Sequence, residues 1–351
     1  MSKKIILTGG GTAGHVLPNL ALVPSLRAAG YKIFYIGSHS GIEKELVESA
    51  GITYYGISSG KLRRYKSMKN VTDIFRIGKG LVDALRIIRK IKPDIVFSKG
   101  GFVVVPVIAA ARLLRVRSVI HESDITPGLA NRLVLPFASR VCVSFPETLS
   151  RVKAGELTGM PLRPQLFKGN REAGLKLVGG KDKPVLLVTG GSQGAAAINN
   201  CVREALPQIL QHFTVCHLCG KGNLSGIDEP GYVEYEYVNE GMADLLHAAD
   251  IVLSRAGATT IFELAALEKP HLLIPLPLGQ SRGDQILNAA SFMKQGLSAV
   301  LPEDEMTNQR LLSEILALYQ NRSVYVQKMR ALNIDSGVEN VMRVINDVTQ
   351  M

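Results

Sequence analysis

Two glycine-rich turns carry residues suited to chemistry on phosphates. The first reads Thr8-Gly9-Gly10-Gly11-Thr12-Ala13-Gly14-His15 and the second Thr189-Gly190-Gly191-Ser192-Gln193-Gly194-Ala195. Each follows a short apolar run, Ile5 to Leu7 or Val185 to Val188, and precedes a helix-permitting stretch, so each reads as strand, tight turn and helix N-terminus. Glycine lets the backbone approach a ligand, and the first amides of a helix point their hydrogens at negative charge. His15 stands where the first helix begins. There it either caps or lines the site, or takes a proton from a sugar hydroxyl near neutral pH. A third cluster, Arg255-Ala256-Gly257-Ala258-Thr259-Thr260-Ile261-Phe262-Glu263, follows the apolar Ile251 to Leu253. It presents the amides of Gly257, Ala258 and Thr259 at another helix start, with Glu263 one turn on, where it reaches a ribose diol. Those dipoles, with a cation such as Arg163, suit a departing diphosphate.

The same residues narrow the chemistry. Gly9, Gly11 and Gly14 fit a dinucleotide-type turn, but the place for a ribose-binding acid reads Tyr35-Ile36-Gly37-Ser38, without one. Neither turn contains the Gly-Lys-Ser/Thr of a nucleotide-hydrolysing loop, and the chain has no Asp-x-Asp to bridge a diphosphate through a metal. No metal and no cofactor are expected. The four cysteines are too few and too irregular for a disulfide scaffold, which favours a reducing cytoplasm. Cys216 and Cys219 read as strand residues facing opposite sides, poorly placed to share a metal.

The elements that must position these turns alternate along the chain. Strand candidates at Lys4 to Leu7, Lys32 to Ile36, Thr53 to Ile57, Ile95 to Ser98, Ser118 to His121 and Val141 to Val143 are separated by helical stretches. Among these are Val16 to Ala29 and Val105 to Leu114. The pattern restarts at Pro184, with a helix reading at Thr260 to Leu267. Such alternation predicts parallel sheets wrapped on both faces, and the repeated turn predicts two α/β lobes facing a shared cleft. The expected domains are 1–160 and 161–351, the last helix packing back on the first lobe.

A net charge of +11 calls for an anionic partner. Between Lys61 and Lys92 lie eleven Lys or Arg against two Asp, interleaved with apolar residues. For Lys61 to Lys79, where Gly60, Gly78 and Gly80 loosen the backbone, this reads as a surface resting on anionic lipid or as a solvated helix. For Leu81 to Ile91 it reads as a helix facing its own core. No secretory signal or transmembrane helix is expected. With 6% aromatic residues and no tryptophan, nucleic-acid binding is not expected either.

Seven motifs in order give the chain a resemblance. They are the first glycine turn with His15, Gly100-Gly101-Phe102-Val103-Val104-Val105-Pro106, His121-Glu122-Ser123-Asp124-Ile125-Thr126-Pro127-Gly128-Leu129-Ala130-Asn131, Gly159-Met160-Pro161-Leu162-Arg163, the second glycine turn, Arg255-Ala256-Gly257-Ala258-Thr259-Thr260, and Asp284-Gln285-Ile286-Leu287-Asn288-Ala289. Over essentially its whole length the chain resembles the MurG family, the UDP-N-acetylglucosamine:undecaprenyl-diphospho-muramoylpentapeptide N-acetylglucosaminyltransferases of bacterial wall synthesis.

The resemblance implies the GT-B fold of two Rossmann-like doubly wound lobes. It also implies inverting transfer of N-acetylglucosamine from UDP-N-acetylglucosamine to the muramoyl 4-hydroxyl of lipid I, forming lipid II at the cytoplasmic face of the cell membrane. A related transferase acting on another lipid, such as diacylglycerol, is the alternative. The resemblance places Thr12, Ala13, Gly14, Arg163, Ser192, Gln193, Val238, Ala258, Thr259, Thr260, Ile261, Phe262, Glu263 and Gln285 at the donor sugar nucleotide. Gly11, Gly100, Gly101 and Asn131 fall toward the acceptor. His15 matches a histidine important for catalysis. Many members carry Asn where this sequence has Asp124, so the base is either His15 or Asp124.

Overall fold

The computed structural model describes residues 3–60, 68–180, 182–191, 194–238 and 240–350, with the backbone alone at 68–74. The chain divides into two compact units, one of Met1–Arg163 with Ser336–Met351 and the other of Pro164–Asp335. The first unit contains β1 (Lys4–Thr8), β2 (Lys32–Ser38), β3 (Thr53–Ile57), β4 (Ile95–Ser98), β5 (Arg117–Glu122), β6 (Arg140–Val143) and β7 (Gly155–Leu157). Among the described residues these form one parallel sheet in the order β3-β2-β1-β4-β5-β6-β7. The second unit contains β8 (Val185–Thr189), β9 (Thr214–Leu218), β10 (Tyr232–Tyr235), β11 (Ile251–Ser254), β12 (His271–Leu273) and β13 (Ala299–Val300). They form a parallel sheet in the order β10-β9-β8-β11-β12-β13.

Parallel neighbours need crossover connections, and the crossover helices cover both faces, so the strands are apolar throughout. In β1 the period-two pleat divides the core. Ile5 and Leu7 pack with Val16, Leu22 and Leu26, and with Val341, Val344 and Val348 of the C-terminal helix Val338–Gln350. Ile6 faces the other way, into Ile88, Val104 and Val107. The second unit repeats this scheme. Leu186 and Val188 meet Ile198, Val202, Leu311 and Ile315, while Leu187 meets Leu218, Leu245, Val252 and Leu264.

Three local expectations are corrected. The single helix read over Val16 to Ala29 is two, Ala13–Ala21 and Val23–Ala28. Pro24 lies in the first turn of the second, where a residue lacking an N–H is tolerated and a continuous helix is not. The glycines at 78 and 80 do not loosen the backbone, because the helix Met68–Ile91 runs through both. A Cβ at Gly80 would overlap Ser58 O, so that glycine permits a close helix approach. Third, the helix placed at Thr260 begins at Ala258, immediately after its cap Gly257.

In each sheet the strand order reverses beside the first strand, β1 lying between β2 and β4 and β8 between β9 and β11. Loops leaving the carboxyl ends of such a pair diverge and open a crevice, the place where open α/β sheets bind ligands. Both glycine turns are at these points.

Candidate active site

In the first unit the crevice is built by the loops after β1 and β4. Gly10 N donates to Gly100 O at 3.2 Å and Lys99 N to Thr8 O at 3.0 Å, tying the two loops together. Gly101 has φ +88°, and a Cβ there would overlap Gly10 O. Gly11, at φ +89°, lies against the Phe102 ring. The missing Cβ of Gly100 points at His15 Cδ2 and Asn131 Nδ2, each 3.4 Å away, so His15, Gly100 and Asn131 converge.

Thr12 is the exposed N-cap of the helix Ala13–Ala21, and Ala13, Gly14 and His15 are half-buried. His15 Nδ1 lies 3.1 Å from Gly10 O and 3.2 Å from Thr12 Oγ1. A carbonyl oxygen can only accept, so the proton of the neutral ring is on Nδ1 and the basic lone pair on Nε2. This is the tautomer a general base at Nε2 requires.

Part of the first turn is already occupied by a side chain that the sequence reading passed over. The buried Glu43 carboxylate accepts from Gly11 N at 3.3 Å, and from Ser38 N at 3.0 Å and Ser38 Oγ at 2.6 Å. A Cβ on Gly10 or Gly41 would collide with that carboxylate, and one on Gly37 with the Tyr54 hydroxyl and Glu43 Cγ. Burial, with the Glu43 charge adding to it, raises the pKa of the neighbouring Tyr54 phenol.

Glu122 is a second buried carboxylate. Its oxygens accept from Asp124 N at 3.1 Å, Gly128 N at 3.1 Å and Asn131 Nδ2 at 2.8 Å. It thereby staples the turn that carries Asp124 to Asn131. Burial raises the pKa of Glu122, and the Asp124 charge raises it further. Thr148 Oγ1 holds the far side of the turn, donating to Asp124 O and Ile125 O at 3.3 and 3.2 Å. Asn131 Oδ1 is buried without a hydrogen-bond donor among the described residues, which leaves an acceptor beside Gly100.

In the second unit Ser254, at the end of β11, pairs with Thr189, at the end of β8, so their loops share the crevice. Gly190 and Gly194 shape the first loop, and a Cβ on Gly194 (φ +75°) would overlap Cys219 O. Ser192 and Gln193 lie outside the described residues. After Gly257 the helix Ala258–Ala266 begins, with Thr259, Thr260 and Glu263 half-buried. The first-turn amides of a helix have no carbonyl in a preceding turn to bond, the arrangement that suits an anion. Ile261 N already donates to Gly257 O at 3.1 Å and its side chain is fully buried. Phe262 packs edge-on against Phe292 in the core. These two residues support the turn from behind.

Gln285 is in the first turn of the helix Asp284–Lys294, and its Oε1 accepts from Leu276 N at 3.1 Å. Asn288, on the same helix, donates to Ala256 O at 3.4 Å and so fixes this helix to the Arg255 turn. Arg255 itself is a strut, paired with Glu303 at 2.5 Å and donating to Ile274 O. Val238 follows the edge strand β10, and Arg163 is the last residue of the first unit before the chain crosses.

The Cys216 to Cys219 segment has more structure than an isolated strand pair. Ligand-type atoms of His217, Cys219 and Glu234 lie within 4.8 Å of one another. The Arg203 guanidinium already lies among them, donating to Glu234 Oε1 from Nε at 3.0 Å and from Nη2 at 2.7 Å, and to Cys219 Sγ at 3.4 Å. Burial pushes the Cys219 thiol up to about 12. Burial also opposes the Glu234 charge, but bonds from Tyr232, Ser225 and Arg203 outweigh it and hold that carboxyl at about 2. The Arg203 guanidinium thus supplies a cation to this cluster and ties β9 to β10 as part of the core.

Residues 5–143 match the glycosyltransferase family 28 N-terminal domain and residues 185–344 its C-terminal domain. A protein of Clostridium botulinum (strain Loch Maree / Type A3), named UDP-N-acetylglucosamine--N-acetylmuramyl-(pentapeptide) pyrophosphoryl-undecaprenol N-acetylglucosamine transferase, is 54% identical over 353 residues. That match covers 99% of this chain and 100% of the relative. A protein of the same name from Lachnospira eligens is 54% identical over 350 residues, 98% of this chain and 99% of its own. The crystal structure of Acinetobacter baumannii MurG superposes with a TM-score of 0.76 at 26% identity, covering 99% of this chain and 100% of that one.

Proposed function

The chain belongs to glycosyltransferase family 28, and from that premise we propose that it transfers N-acetylglucosamine from UDP-N-acetylglucosamine to N-acetylmuramyl-(pentapeptide) pyrophosphoryl-undecaprenol, lipid I, giving lipid II in peptidoglycan synthesis. The observation that carries this is 54% identity, end to end, with relatives named for that reaction. It is a UDP-sugar N-acetylglucosaminyltransferase of the two-lobed GT-B type.

The donor's diphosphate is held by the first-turn amides of Ala258, Thr259 and Thr260, with Glu263 on the ribose and Gln285 and Val238 completing the wall. Arg163, Ser192 and Gln193 belong to this set by the family likeness alone. The acceptor lies with the first unit. Because Gly10 N and Gly11 N are taken by Gly100 O and Glu43, its diphosphate is left the Gly100–Gly101 turn. Asn131 Oδ1 is available to accept from a sugar hydroxyl. The muramoyl 4-hydroxyl gives its proton to His15 Nε2 as its oxygen bonds to the anomeric carbon. The bond to UDP breaks with its electron pair on the departing phosphate. Asp124 orients the acceptor. Amide dipoles and a guanidinium stabilise the leaving charge, so the step calls for no metal.

Turnover of labelled UDP-N-acetylglucosamine onto lipid I is therefore expected to be undiminished in EDTA, with no label on diacylglycerol. A requirement for divalent metal, or label on diacylglycerol in preference to lipid I, would overturn this reading.

An acceptor tethered in a bilayer requires the enzyme to rest on it. No helix of the described residues is long and apolar enough to cross a membrane. On the helix Met68–Ile91, Phe75 (76% exposed) and Val82 (45%) alternate with exposed Lys79 and Arg86 at spacings that share one face. This face is our assignment for contact with anionic lipid; Lys61 to Ser67 lie outside the described residues. Changing both Lys79 and Arg86 to Glu is expected to weaken co-sedimentation with phosphatidylglycerol vesicles by at least about thirtyfold, at ~1 kcal/mol per basic residue lost. Unaltered binding would remove this face from the contact.

A further inference from the structure

Lys99 is the feature of the first unit that the reaction scheme leaves unused. It follows β4 directly, ahead of the Gly100–Gly101 turn, and its side chain is 1% exposed. A lysine is rarely buried to this extent unless a partner answers its charge. Its Nζ donates to His121 Nδ1 at 2.8 Å and to Ser123 Oγ. His121 Nε2 lies 2.9 Å from Gly159 O, and a carbonyl only accepts, so the ring proton is on Nε2 and Nδ1 receives the ammonium hydrogen. His121 is thus neutral, as its burial and the adjacent ammonium both require. Burial pulls the Lys99 ammonium down to about 8, and the opposite charges of Glu122 and Asp124 act against that fall. The result is a chain from Gly159 through His121 and Lys99 to Ser123, running beneath the turn that Glu122 staples from its other side.

We propose that Lys99 is a positioning residue for the transfer reaction: its buried ammonium answers the carboxylates of Glu122 and Asp124 and, through Ser123 and His121, fixes the turn that presents Asp124 to the acceptor. The proposal rests on the reading of Asp124 as an acceptor contact and His15 as the base.

The test is steady-state kinetics of Lys99→Met, which keeps length and apolar character and removes the charge, beside Asp124→Asn and the double variant. Lys99→Met is expected to lower kcat with lipid I about 100-fold, the cost of roughly 1 Å of misplacement. Its dissociation constant for UDP-N-acetylglucosamine, measured by calorimetry, should change less than threefold, which also reports that the protein is folded. Asp124→Asn alone should lower kcat less than tenfold. Adding it to Lys99→Met should restore at least about tenfold, because the charge that the ammonium opposed is then gone. A Lys99→Met enzyme with wild-type kcat overturns the role of Lys99, as does a double variant no faster than the single one while Asp124→Asn alone is active. If Asp124→Asn is itself inactive, with donor binding intact, the assignment of the base fails instead.

Discussion

Replacing His15 by Ala is expected to lower kcat about a thousandfold while leaving the dissociation constant for UDP-N-acetylglucosamine within a factor of about three, since a positioned general base contributes typically 10²–10⁴-fold. Donor affinity is spared because the donor's diphosphate is assigned to the helix start at Ala258, in the other unit. The geometry behind this prediction is the Nδ1 contact with Gly10 O, which directs the basic lone pair to Nε2. Rapid-quench measurement of the single-turnover rate separates chemistry from product release. A His15→Ala enzyme within tenfold of wild type, with Asp124→Ala inactive, would transfer the role of base to Asp124.

The second large effect comes from the glycines that let two loops touch at each switch point. Gly101 has φ +88° and no room for a Cβ against Gly10 O, and Gly194 has φ +75° and no room against Cys219 O. In both cases the obstruction is backbone, which cannot rotate away. Gly101→Ala and Gly194→Ala must each displace a loop and adopt a left-handed conformation costing roughly 1–2 kcal/mol before the overlap is counted. The two variants should differ in what they lose. Gly101→Ala should raise KM for lipid I by at least tenfold with donor binding intact, whereas Gly194→Ala should weaken UDP-N-acetylglucosamine binding by at least tenfold. Equal losses of both substrates in both variants would contradict the division of substrates between the units.

The legible features were local ones. A glycine turn between an apolar strand and a helix announces itself within ten residues, and so did both turns, the Gly257 helix start and the alternation that builds parallel sheets. What remained hidden depends on residues brought together by the sheet order. Glu43 lies more than thirty residues from Gly11, yet its carboxylate occupies the inside of that turn, because β2 pairs beside β1 and the following helix returns over it. His121 is on β5 and Lys99 directly follows the adjacent β4, and nothing in the spacing of a lone Lys and a lone His reveals a buried contact. Glu122 lay within a recognised motif, but its part as a staple depends on Gly128 and Asn131 folding back to it. Pro24 stands in plain view in the sequence, but the apolar residues around it suggest one continuous helix. From the sequence Gly78 and Gly80 suggest flexibility, whereas Gly80 serves close packing, a distinction only the neighbouring Ser58 carbonyl reveals.

The central claim is a single displacement that joins N-acetylglucosamine to the muramoyl 4-hydroxyl. The measurement that bears on it most directly is nuclear magnetic resonance of the lipid product formed from UDP-N-acetylglucosamine and lipid I. A single new β-glycosidic bond to the muramoyl oxygen at position 4, opposite in configuration to the α-linked donor, is the predicted result. An α-linkage, a bond at another hydroxyl, or no lipid-linked disaccharide at all would contradict it.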